Sequence, residues 1–231
     1  MANILAVTGL KREAALLDTP GVIVIPGGGD STGLARKLEA ALQRQRPRGV
    51  VSIGLGGALS PALTVGDWVV ADVIVEGATR WPTDAGWAQA LCAALSLAHP
   101  RKGGPLDGPK VMLGPIAASE VMVVDAAGKA ALRAAAGALA VDMESHVAAR
   151  FAARHSLPFA ALRAISDGAD RALPKAAQAG MKKDGGMDIL AVLKSLALDP
   201  AQLPALIRTG REAEVAFKAL KRASSLLPET F

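Results

Sequence analysis

The sequence predicts an α/β protein of three layers, in which a mixed, mostly parallel central sheet is covered by helices. Two observations carry this. Short apolar runs rich in β-branched residues alternate with helix-length stretches along the chain, the pattern of a sheet buried on both faces. Of the 231 residues, 51% are apolar and 20% charged, but only 3% are aromatic, with three Trp, four Phe and no Tyr. A core of Ala, Val and Leu suits close helix-to-sheet packing, and the length suits one domain over residues 1–231.

Strands are expected at residues 4–7, 22–25, 50–53, 69–75, 111–113, 139–141 and 159–165. Helices are expected at 11–17, 32–45, 85–97, 126–136, 143–155, 188–198 and 202–226. The first strand, ILAV, runs into KREAALL, and the second, VIVI, into PGGGD, whose glycines open a helix. The third, VVSI, begins the uncharged run GVVSIGLGGALSPALTVG, long enough for a short membrane span. Gly54, Gly56, Gly57 and Pro61 break element interiors, so the run reads instead as a strand feeding a glycine loop. Further on, Asp125 is placed to cap helix 126–136, and Asp199-Pro200 to start the last helix. Pro and Gly punctuate residues 101–110 and 182–186. In the last helix Leu203, Leu206, Ile207, Ala213, Phe217 and Leu220 make an apolar face for the core. Its Arg208, Arg211, Lys218, Lys221 and Arg222 form a solvated basic face or, on a sharper reading, a contact for anionic lipid headgroups.

Several classes are excluded. A single cysteine, Cys92, forms no internal disulfide framework or thiolate cluster, and three scattered histidines have no metal-ligand spacing, so no metal is expected. The net charge of +5 comes without an aromatic platform or recognition motif, so nucleic acid is not an expected partner. MANILAVTGLKREAALL lacks a basic leading region and meets Lys11 too early for a signal peptide, which points to the cytoplasm.

Four stations fall at or just after expected strand ends, where ligands collect in open α/β sheets. The first is Glu13, just inside the helix after the first strand; alone, it reads as a dipole-complementing surface glutamate. The second is Gly27, Gly28, Gly29 and Ser31, whose backbone N–H groups suit an anion such as phosphate, although no Walker lysine accompanies them. The third, VDMESH, sets Asp142 and Glu144 at a strand-to-helix junction, where buried carboxylates need hydroxyls or a cation; His146 reads as an ordinary helix residue. The fourth is Ser166-Asp167, which alone reads as a turn cap. Two carboxylates at separate strand ends favour a shared site for a polyol and a base.

In order and content these stations resemble the nucleoside phosphorylase and nucleosidase superfamily. The motifs are IGLGGAL, VGDWVVAD, AVDMES and RAISDGAD, and the likeness runs through most of the chain. The stretch VDMESHVAARFAARHSLPFAALR and the continuation DRALP are most similar to the hopanoid-associated phosphorylase subfamily, linked with removing adenine from adenosylhopane. The resemblance implies a nucleoside phosphorylase-like fold, a homo-oligomer, and a small-molecule or lipid-linked adenosyl substrate met from the cytoplasm or at the inner face of a membrane. No cofactor is implied beyond inorganic phosphate as a co-substrate.

Carried over residue by residue, it implies that Met143 and Glu144 hold the ribose, with Glu144 accepting from its hydroxyls. Asp167, steadied by Ser166, would donate to N7 of the purine. Met122 and Val123 would line the base pocket, and Gly56 of the glycine loop would lie against the substrate. Breaking C1′–N9 leaves negative charge on the base and an oxocarbenium-like sugar, so an acid at one end and a carboxylate at the other serve both halves. Glu13 falls where nucleosidases keep the glutamate that activates water. Ser52 and Leu55 stand where phosphorylases keep an arginine and a serine, which favours hydrolysis. The loop Gly27 to Gly29 with Ser31, Lys11 and Arg12 favours phosphate. The short link from Leu17 to Val22 omits a strand pair of the nucleosidases and opens the five-carbon side of the pocket. Two rivals stand beside an adenosylhopane-cleaving enzyme: a methylthioadenosine/S-adenosylhomocysteine nucleosidase and a non-catalytic purine nucleoside-binding module.

Overall fold

The computed structural model describes residues 3–17, 19–98, 108–180, 182 and 184–224. In chain order its elements are β1 (Ile4–Thr8), α1 (Lys11–Leu16), β2 (Val22–Pro26), α2 (Ser31–Arg44), β3 (Gly49–Ala58), β4 (Trp68–Glu76), β5 (Thr79–Pro82) and α3 (Ala85–Ala98). There follow β6 (Val111–Ala118), α4 (Ala126–Ala136), β7 (Ala140–Asp142), α5 (Ser145–Arg154), β8 (Phe159–Asp167), α6 (Lys175–Ala179), α7 (Ile189–Leu198) and α8 (Leu203–Ser224). All seven expected strands and seven expected helices are present; β5 and α6 are additions too short to show a period. The expected end of the last helix at residues 225–226 lies outside the described residues.

The sheet is mixed and closes on itself. β3 runs parallel to β1 and β8, β8 antiparallel to β4, β4 parallel to β6, and β6 parallel to β7. β7 then returns, antiparallel, to Gly57 and Ala58 at the end of β3. β2 extends the sheet beyond β1, and β5 forms a hairpin on β4. One face packs Leu34 and Leu38 of α2 with Val147 and Phe151 of α5. The other packs Leu91 and Leu95 of α3 with Ala216 and Leu220 of α8, which completes three layers.

Two expectations need correction. The glycines after residue 53 do not form a loop: β3 continues through them to Ala58. A Cβ at Gly54 would stand 2.8 Å from Glu13 Oε2, one at Gly56 3.0 Å from Arg163 Cβ, and one at Gly57 3.3 Å from Asp167 Oδ2. Glycine is used inside a strand where other groups crowd the backbone. The last helix covers the core with only its second half. Phe217 and Leu220 are buried, whereas Leu203 and Ile207 are 44% and 47% exposed. The chain bends by 115° between α7 and the segment from Pro200, so the first half of α8 is carried off the core, and the Asp199 side chain makes no capping bond. No single helix among the described residues is long and apolar enough to cross a membrane.

Candidate active site at the strand ends

The four stations meet around the end of β3. Glu13 is buried in the first turn of α1, 2% exposed. Its Oε2 accepts the N–H groups of Gly9 and Leu10, each at 2.8 Å, and its Oε1 accepts that of Leu55 at 2.8 Å. Burial raises its pKa, against the pull of these amides and of Arg163. A carboxylate offers about four lone-pair positions, so this one keeps a position for a further donor such as water.

Glu144 stands at the junction of β7 and α5 and packs over two glycines. A Cβ at Gly9 would lie 3.1 Å from both carboxylate oxygens, and one at Gly27 would lie 3.0 Å from Cγ. Burial, then the charges of Asp142 and Glu13, push Glu144 up to about 8, while Arg163 and the Gly29 amide oppose them. Beside it the Met143 methyl lies 3.2 Å from the position of a Cβ on Gly29.

Under these carboxylates lies an ion pair between Asp142 and Arg163, both side chains 1% exposed. Arg163 Nη2 also donates to Ser52 Oγ at 2.6 Å and Ser145 Oγ at 3.1 Å, and Nη1 donates to the Leu162 carbonyl at 2.7 Å. Ser52 therefore seats a different arginine from the one it replaces in phosphorylases. Gly56, expected against the substrate, packs on Arg163 on the side a Cβ would occupy, and its carbonyl accepts from Ser166 Oγ at 3.3 Å. The lone arginine within the apolar strand FAALRAIS was the sequence signal for this buried pair.

At the other end, Asp167 terminates β8 with Oδ1 accepting from Ser166 Oγ at 2.7 Å. Its Oδ2 is ion-paired with Lys129 Nζ, and Lys129, 1% exposed, also donates to the Gly168 carbonyl at 2.8 Å. Sequence reasoning missed Lys129 because it sits in the alanine-rich helix AAGKAALRAAA. The available signal was spacing: 129, 132 and 136 share the face that α4 turns inward. Met122 and Val123 are half-buried after β6, with Val123 packed on the cluster of Val75 and Val141. The Val124 carbonyl accepts from Leu173 N at 2.8 Å, tying this segment to the loop that follows Asp167. A cavity of about 290 Å³ adjoins Asp167 on the side facing α8.

The glycine loop is already engaged. The amides of Gly27 and Gly28 donate to the carbonyls of Thr8 and Gly9 at 2.7 and 2.8 Å, and that of Gly29 serves Glu144. Gly28 and Gly29 have φ of 72° and 71°, a region that favours glycine. Ser31 Oγ donates to Glu120 at 2.7 Å, and Glu120 meets His146 Nε2 at 2.9 Å. Lys11 and Arg12 are paired with Asp184 at 2.5 Å and Glu214 at 2.6 Å. Folding also gathers Glu76, Glu120 and His146, with ligand atoms within 4.8 Å of one another, a grouping their scattered positions did not suggest. The guanidinium of Arg150 stands 3.5 Å from Glu76 and 3.9 Å from Glu120 and supplies a cation there.

A closed mixed sheet between helical layers, with carboxylates gathered at its strand ends, defines an α/β enzyme class built for a substrate that separates charge. Comparison with known proteins gives the family. The model of the phosphorylase superfamily matches residues 16–197, and the chain belongs to that superfamily, whose members cleave N-glycosidic bonds. A 5′-methylthioadenosine/S-adenosylhomocysteine nucleosidase of Geobacillus thermodenitrificans is 28% identical over 171 residues, covering 70% of this chain and 72% of the relative. Among solved structures, the Helicobacter pylori nucleosidase mutant with 5′-methylthioadenosine in its active site aligns at a TM-score of 0.67 and 16% identity, over 100% of this chain and 98% of that one. The Streptococcus pneumoniae nucleosidase with a transition-state inhibitor aligns at 0.60 and 17%, over 96% and 99%. At these identities the structural likeness establishes the fold.

Proposed function

We propose that this protein releases adenine from an adenosyl compound by hydrolysing its C1′–N9 bond. The observation that carries the reading is the gathering of Glu13 and Asp167 beside Gly54 and Gly57 of β3, with Glu144 over Gly9, whose amide donates to Glu13. Glu13, fixed by three amides with a lone pair to spare, takes the proton of the attacking water. Met143 and Glu144 hold the ribose, and the carboxylates there oppose the positive charge that builds on the sugar. Asp167, oriented by Ser166, meets N7 of the departing base beside Met122 and Val123. An acid and a base placed at the two ends of the breaking bond each contribute typically ~10²–10⁴-fold.

Hydrolysis is preferred to phosphorolysis on electrostatic grounds. The amides of Gly27, Gly28 and Gly29 serve carbonyls and Glu144, Ser31 serves Glu120, and Lys11 and Arg12 are paired elsewhere. Beside Ser31 the Arg150 guanidinium is already shared by Glu76 and Glu120.

For the substrate we propose an adenosyl group carrying a large apolar 5′ substituent, adenosylhopane, handled by a homo-oligomer at the cytoplasmic face of a membrane. The resemblance to the hopanoid-associated subfamily supports this, and so does the surface of α7. There Ile189, Leu190, Leu193 and Leu198 are 65%, 76%, 56% and 80% exposed, four large apolar side chains on one short helix. The likeness to the Geobacillus nucleosidase supports a second reading, with methylthioadenosine or S-adenosylhomocysteine as substrate.

Product identification tests the reaction. Purified protein with adenosylhopane, and with methylthioadenosine as a soluble surrogate, is expected to give adenine and the free sugar with or without phosphate. A sugar 1-phosphate would replace hydrolysis by phosphorolysis. No adenine from either compound would leave a binding module.

A further inference from the structure

The base end of the site contains a group to which neither the sequence nor the family comparison gives a role. A lysine that is 1% exposed, in a helix otherwise almost wholly Ala, Gly and Leu with one Arg, is costly unless its charge is matched. Among the described residues Lys129 is matched by the Asp167 carboxylate, and it also donates to the Gly168 carbonyl. The other charged groups around Asp167 satisfy one another: Asp170 with Arg171 at 3.9 Å, and Arg208 with Glu212 at 2.9 Å. On α4 itself, Asp125 caps the Gly128 amide at 2.7 Å. The carboxylate meant to hand a proton to the purine is thus held in an ion pair with a buried lysine.

We infer that Lys129 is the proton reservoir for the departing base and acts through Asp167, an inference that rests on the functional reading above. As C1′–N9 breaks, its electron pair stays on the purine. Asp167 takes a proton from Lys129 Nζ and passes it to N7. The water that attacks C1′ gives its proton to Glu13. Lys129, left as a neutral amine, regains a proton from solvent that reaches Asp167 through the adjoining cavity when adenine leaves. Lys129 touches Asp167 and not the reacting atoms, so it is a positioning and proton-supplying residue rather than a catalytic one.

Two variants separate this role from support of the fold. In Lys129→Met the carboxyl of Asp167 must carry the proton itself. Its adenine-release rate from methylthioadenosine is expected to fall at least tenfold at neutral pH and to climb toward acid, unlike wild type. Lys129→Arg keeps a cation and the ion pair but does not give up a proton in this pH range. It is expected to stay folded by circular dichroism and still to be at least tenfold slow at every pH. An arginine variant at the wild-type rate, or a methionine variant with the wild-type pH profile, overturns the inference. Adenine affinity against pH, by calorimetry on the same proteins, needs no turnover. If wild type releases no adenine, the functional reading fails. The reservoir still stands if adenine binding takes up a proton less in wild type than in Lys129→Met, and falls if proton uptake is the same.

Discussion

The two ends of the site are made of the same residue type, and their surroundings give them opposite character. At the sugar end Glu13, Glu144 and Asp142 crowd around one buried cation, Arg163. Burial raises Glu13, and burial together with the charges of Asp142 and Glu13 raises Glu144 to about 8. At the base end one carboxylate, Asp167, faces one ammonium, Lys129, and the pair is balanced. In the proposed reaction this difference would let the end with the raised glutamates take up the proton of the water and the end with the ion pair supply one to the base.

The comparison breaks most severely at Arg163. Arg163→Met would leave Asp142 buried without its partner, and removing one member of a buried pair costs ~3–5 kcal/mol. A large fall in the denaturation midpoint, with Ser52→Ala losing far less, is the expected result; equal small losses would mean that the cation does not hold the sugar end together. Glu144→Gln sharpens the contrast through pH. The folded-state pKa of Glu144 lies above that of an ordinary glutamate, so the native state holds a proton that the unfolded chain has released. Its burial therefore weakens the fold progressively as pH rises from the ordinary glutamate range through about 8. The variant should gain in thermal midpoint relative to wild type at pH near 9 and little near pH 4, while losing affinity for the ribose hydroxyls. The smallest effect belongs to the exposed pair at the rim. Lys11→Ala frees Asp184, both side chains more than half exposed, and such pairs contribute ~0–1 kcal/mol. Stability is expected to change by less than that and the adenine-release rate to remain independent of phosphate; a phosphate-dependent rate lost in this variant would restore Lys11 to an anion cradle.

The helices and most strands were legible because their signals are local. Asp125 caps α4 through the Gly128 amide, and Asp30 caps α2 through the Gly33 amide at 2.9 Å, as short-range capping chemistry requires. The glycines after Ile53 misled for the same reason. Read locally they signal a loop, whereas their cause is the nearness of Glu13, Arg163 and Asp167, residues 41 to 110 positions away in the chain for the nearest and farthest of these contacts. Leu203 and Ile207 keep a helical period, yet the bend before α8 leaves them exposed, since a period fixes a face but not what the face meets.

By itself the sequence determined the alternation of strand and helix, the apolar core without tyrosine, and the carboxylates at strand ends, all set by neighbours within a few residues. Tertiary structure decided the rest. The closure of the sheet from β7 back to β3 brings Glu13, Glu144 and Asp167 to one rim. The partners that tune them, Arg163 beneath the sugar end and Lys129 beneath the base end, come from segments that meet only in the folded chain. Charge interactions depend on distance through space and on exclusion of water, and neither quantity is written in the order of the residues.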